Sequence, residues 1–206
     1  MLTRGRLLAA AGLFLAAATA SRCTSAPPPP AAAQPDLSPA VSILELMTHI
    51  VDPIADNIFD AVGTDVTAKG TVETRPTTDE EWAKVMAGAV TLAEATNLLK
   101  IPRRAEPPGY VNQWTVGANA PELSGDQIDA HINADRAKWN SFADELRVIA
   151  LEVADIVKAR DADKLFDAGG RLDKACENCH LEYWYPGDRK AVLEDEAKRA
   201  VYEKKN

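Results

Sequence analysis

Three cysteines, three histidines and three methionines are all that 206 residues offer for sulfur or imidazole ligation. A structural zinc site wants four such ligands, usually as two pairs, and this chain has one close pair, Cys176 and Cys179. It has no Gly-rich phosphate loop, no nucleophile beside a base and no carboxylates clustered at metal spacing, so nothing in it points to an enzyme. Beyond Pro39 no stretch alternates convincingly as a strand. Positive charge is also scarce: the formal net charge is −8, which disfavours nucleic acid and anionic membrane surfaces and favours partners with basic docking surfaces.

Against these absences stands Cys176-Glu177-Asn178-Cys179-His180, a C-x-x-C-H pattern. On a helix the two thiols share a face, where each can form a thioether to a haem vinyl group, and the adjacent histidine can reach the iron. A thioredoxin-like pair sits in a βαβ context and needs no following histidine. A disulfide between cysteines this close within a helix would be strained. The motif therefore implies one covalently bound haem c per chain, with thioethers at Cys176 and Cys179 and His180 as proximal iron ligand.

The N-terminus reads as an export signal: basic Arg4 and Arg6, apolar Leu7 to Ala18, and a small-residue site at Ala18-Thr19-Ala20. The apolar run is short for a bilayer span. Cleavage after residue 20 would move the net charge from −8 to −10 by removing the two arginines. Cys23 offers a second outcome, a lipid anchor, although Arg22 precedes it where lipoprotein signals carry a small residue. Residues 21–38 form a Pro/Ala-rich linker, read as a disordered leader. The expected location is periplasmic, free or membrane-tethered.

Residues 39–187 show four helical stretches and predict an all-α fold, an antiparallel up-down-up-down four-helix bundle. The first helix starts near Ser38-Pro39, carries the stripe Leu44, Met47, Val51, Ile54, Ile58, and is expected to kink at Pro53. A Thr-rich connection, 63–77, leads to a second helix opened by a Thr78/Glu81 capping box, with Leu98 on its buried face. The long loop 102–123 is expected to fold over one end of the domain. Ser124 with Gln127 opens the longest helix, to about Arg160. Asp161 caps the fourth, which buries Leu165, Phe166, Leu172 and Tyr183, and Gly169-Gly170 suggests a close approach by backbone or cofactor. Residues 188–206 form a charged tail, read as a short frayed helix.

In such a bundle the start of helix one lies beside the end of helix four. His180 is then level with about Leu44, and Met47 lies about 4–5 Å further along. Met47 is either the distal iron ligand or gap-filling core. Met86 belongs at the far end, His49 about 200° around the helix from Met47, and His131 about 16 Å from His180 along a straight third helix. Trp139, Phe142 and Tyr183 are candidate walls of a haem pocket or ordinary core.

With its motif near the end of a four-helix chain, residues 40–187 resemble the class II c-type cytochromes, the cytochrome c prime family. The likeness is most specific from Trp139-Asn140-Ser141-Phe142 through Ala168-Gly169-Gly170-Arg171-Leu172 to Cys176–Tyr183. It implies one haem held by both cysteines and the histidine, with a first-helix residue on the distal side. A methionine there implies a six-coordinate, electron-carrying iron, and Met47 matches; any other residue implies five-coordinate iron that binds NO or CO. The likeness also allows a homodimer through helices one and two. Trp184 stands where the family tends to carry a basic residue, and Pro53 and the 102–123 loop enlarge its pattern. A third, structural or tethering role follows from the Pro-rich leader alone.

Overall fold

Ser42 starts the first helix because its third neighbour can answer it. Its hydroxyl accepts from the Glu45 N–H at 3.2 Å, and the Glu45 carboxylate accepts from the Ser42 N–H at 2.9 Å. Ser38, where the sequence suggested the start, has Val41 in that place and can close no such box. The computed structural model describes residues 37–115 and 122–203; the signal, most of the linker and Cys23 lie outside them. The helix runs as α1 (Ile43–Leu46), a π turn (Met47–Val51) and α2 (Asp52–Phe59). The break expected at Pro53 takes the form of that π turn, closed by the Asp52 N–H donating to the Met47 carbonyl. The extra residue shifts the stripe: Ile43, Leu46, Val51, Ala55 and Ile58 are buried, whereas Leu44, Met47 and Ile54 are half-buried.

A hairpin follows that the sequence did not announce, β1 (Gly63–Thr67) and β2 (Gly70–Thr74), paired antiparallel with Thr67 opposite Gly70. Its β-branched threonines and valines suit a strand. Both faces meet solvent, however, with Val66 84% exposed, so no apolar alternation marks it. Gly70 takes φ 125°, a conformation other residues rarely adopt.

The second long helix, α3 (Asp79–Lys100), opens with the expected Thr78/Glu81 box. Leu98 turns outward at its end and Leu99 fills the core instead. The third is two helices, α4 (Gly125–Ala134) and α5 (Arg136–Ala159). Asp135 breaks them apart at φ −143°, and its side chain accepts from the Lys138 N–H at 2.9 Å to cap α5. The fourth, α6 (Ala162–Tyr183), is capped by Asp161 as expected. Phe166 lies exposed on it rather than buried. Gly169 and Gly170 meet nothing within 4 Å of an added Cβ, so no close approach of the protein backbone explains them. The charged tail carries a further helix, α7 (Arg189–Glu203).

The described chain is thus mostly helical. α3 packs on α2 and α5, α5 on α6, and α2 also touches α6. Arg160 at the end of α5 pairs with Asp79 at the start of α3 at 2.5 Å, while Trp139 near the start of α5 bonds Leu99 near the end of α3. These two helices therefore run antiparallel. The loop after α3 closes one end. Its Arg104 and Ala105 carbonyls accept from the Ile43 and Leu44 N–H groups at 3.0 and 2.9 Å, which satisfies donors that α1 would otherwise leave open. Its far side is tied by Leu123 N–H to the Trp184 carbonyl at 2.8 Å. No described helix is long and apolar enough to cross a membrane.

Candidate functional site

Along α6 the buried face runs Leu165, Ala168, Leu172, Ala175 and reaches Cys176 and Cys179, both half-buried with free thiols. They line one narrow cavity of about 40 Å³, partly open to solvent, together with Ala175 and His180. The other helices supply Met47, Val51 and Asp52 from the first, Leu99 from α3, and Trp139, Phe142, Ala143 and Leu146 from α5. Four of the residues singled out for metal or haem, Met47, Cys176, Cys179 and His180, therefore meet at one apolar slot.

Burial dominates the electrostatics there. It pushes the Cys176 thiol up to about 11, helped by the negative charges of Asp173 and Asp52, and the Cys179 thiol up to about 12. Both are protonated at neutral pH, the reverse of the low-pKa thiol that redox exchange requires. Burial also lowers His180, against the opposing pull of Asp52, Glu177 and Glu122, so its imidazole is neutral and its lone pair free for a metal. Asp52 is raised, first by burial, then by Asp56, with His180 acting the other way. The His180 carbonyl ends the helix by accepting from the Trp184 and Tyr185 N–H groups at 2.7 and 3.0 Å. The Tyr185 hydroxyl donates to Glu177, eight residues back inside the motif, at 2.8 Å.

Trp139 and Phe142 stand in the wall as the sequence suggested. The Trp139 indole N–H donates to the Leu99 carbonyl at 2.8 Å, fixing the ring with 2% exposure. Tyr183 lies behind that wall instead of lining it. Its ring meets Trp139 edge-on at 5.0 Å and Phe142 at 5.8 Å, and its buried hydroxyl has no partner. His131, just before the break at Asp135, lies 5.0 Å from the Tyr183 ring and 3.5 Å from Glu182. It does not line the cavity, nor do His49 and Met86. Three lining residues escaped the sequence, Asp52, Leu99 and Ala143. α-Helical spacing turns Asp52 away from Met47, and only the π register brings them to one cavity.

Among the described residues no group of three or more His, Cys, Asp or Glu side chains forms a cation site. A porphyrin brings four of iron's ligands itself, so one imidazole and one thioether complete the set. Two thiols at thioether spacing, a neutral imidazole beside them, a methionine on the same cavity and an otherwise apolar lining fit haem c. Comparison with protein-family models, with curated proteins and with solved structures finds no match to this chain.

Proposed function

We propose that the protein is an exported monohaem c-type cytochrome that carries single electrons. The observation that carries this is the meeting of Cys176, Cys179, His180 and Met47 at one apolar cavity, from helices far apart in sequence. Cys176 and Cys179 hold the haem by thioethers. His180, kept neutral by burial, would offer a nitrogen lone pair to the iron, and Met47 its sulfur. Bound haem supplies the one-electron chemistry. Trp139, Phe142 and Leu146 exclude water from it, which tunes the potential and blocks side reactions. The carboxylates that act on this site, Asp52, Asp173 and Glu177, give its surroundings the sign that a basic partner protein would meet. The likeness of the motif-bearing helix to class II c-type cytochromes supports the same reading, and the N-terminal signal supports export to the periplasm.

Optical and magnetic spectra of the purified holoprotein test this. Haem should survive acid-acetone extraction in the native chain and be lost from a variant with both Cys176→Ala and Cys179→Ala. The ferric protein should be low-spin and turn high-spin in Met47→Ala. Extractable haem would sink the attachment. A high-spin native spectrum unmoved by Met47→Ala would remove Met47 from the iron, and rapid, tight CO binding to that ferrous protein would make gas binding the function.

A further inference from the structure

The first helix does something at the cavity that its sequence conceals. In an unbroken α-helix the residue after Asp52 would donate to the His49 carbonyl. Pro53 has no N–H to give, and its ring crowds that carbonyl. The turn before it is the wide one, with the Asp52 N–H bonded to Met47 five residues back. Two anchors hold the register on either side. Loop carbonyls clip Ile43 and Leu44, and α2 lies so close to α3 that a Cβ on Gly88 would stand 3.0 Å from the Ile54 carbonyl oxygen.

The wide turn changes which side chains share a face. Met47 and Asp52 would lie about 140° apart on an α-helix, yet both line the slot with His180. Asp52 is the one carboxylate among the lining residues, and it sits at the rim, exposed to solvent. Its charge is felt by His180 and Cys176 on the opposite helix. A fixed negative charge in such a place stabilises the more positive oxidation state of a metal held by His180.

We infer that Asp52, turned to the slot by the π turn, is the residue that sets the reduction potential of this site, holding it low by favouring the ferric form. This rests on the haem reading above. The electron itself passes between the iron and a partner protein; Asp52 neither gives nor takes one. Replacing the charge without changing the shape should release the effect.

The test is the midpoint potential of holoprotein carrying Asp52→Asn, measured at one neutral pH beside native protein, Asp52→Glu and Asp56→Asn. Asp56 is exposed one turn along the same helix and controls for charge outside the slot. Asp52→Asn should shift the equilibrium at least about tenfold toward ferrous, or ~59 mV upward for one electron. Asp52→Glu should return most of it, and Asp56→Asn should move it far less, while all four keep the native spin state. Equal potentials in native and Asp52→Asn protein would overturn the inference, as would an equal shift in Asp56→Asn or a shift in Asp52→Glu as large as that of the amide. These failures arise in protein with intact covalent haem, whereas failure of the haem reading shows earlier, as extractable haem, and removes the inference with it.

Discussion

Glu182 shows how one side chain ties the site's end of the molecule together. It is buried, with its side chain 9% exposed, yet it meets Lys138 of α5, Arg189 of α7 at 2.5 Å and His131 of α4 at 3.5 Å. Burial pushes its carboxyl up, but the hydrogen bonds and charges of Lys138 and Arg189 outweigh that and leave it below the ordinary glutamate value. A carboxylate depressed in the folded state adds stability above its unfolded value, near 4.5, and loses it as pH falls through the lower folded value. Glu182→Gln should therefore cost about 1–2 kcal/mol at neutral pH, reduced by water at the half-exposed bases. It should also flatten the acid limb of a denaturant-stability curve taken from pH 6 down to about pH 3. At this scale the sequence was generous with the motif and poor with its surroundings. Cys176, Cys179, His180 and Met47 could be named from spacing and face, because soft ligands are so few in the chain. Asp52 could not, since its place depends on a hydrogen bond that skips a residue.

Helices were the easier elements to foresee, and their ends the harder. Thr78, Ser124 and Asp161 all cap where the sequence put them, because each cap is a local exchange of hydrogen bonds. Asp135 was overlooked because the apolar stripe continues from Ile132 to Trp139 across the break, and periodicity alone reads that as one helix. The hairpin hid for the opposite reason, having no buried face to pattern. Between elements α2 and α3 cross closely at Gly88, where an added Cβ would sit 3.0 Å from the Ile54 oxygen and 3.1 Å from the Asn57 Cβ. One of those contacts is backbone and cannot swing aside. Gly88→Val should push α2 from α3 and destabilise the fold by about 1–3 kcal/mol, read from the denaturant midpoint. It should loosen the Met47 side of the cavity before the Cys176 side.

For the molecule as a whole, charge and connectivity decide more than any contact. A formal charge of −8 gives long-range attraction to a basic partner that salt screens over about 10 Å at 0.1 M. Electron exchange with such a partner, followed by stopped-flow absorbance, should slow steeply as ionic strength rises; a rate indifferent to salt would mean that docking is not electrostatic. Reasoning from levels along the helices put Met47 and His180 at one end, and both line the same cavity. The same reasoning kept His131 away from His180, and His131 does not line the cavity, although the helix that it took as one rod is broken at Asp135.

The hairpin that the sequence concealed is tied to the end of α6 opposite the cavity. Arg75, just beyond β2, pairs with Asp163 at the start of α6 at 2.5 Å, and α6 then runs about 25 Å to His180 at 1.5 Å per residue. Lys69, exposed in the hairpin's turn, is therefore a natural handle. A chain fastened to an electrode or a bead through that position would be held near the end of α6 that lies a helix's length from Cys176–His180, which leaves the motif clear of the point of attachment.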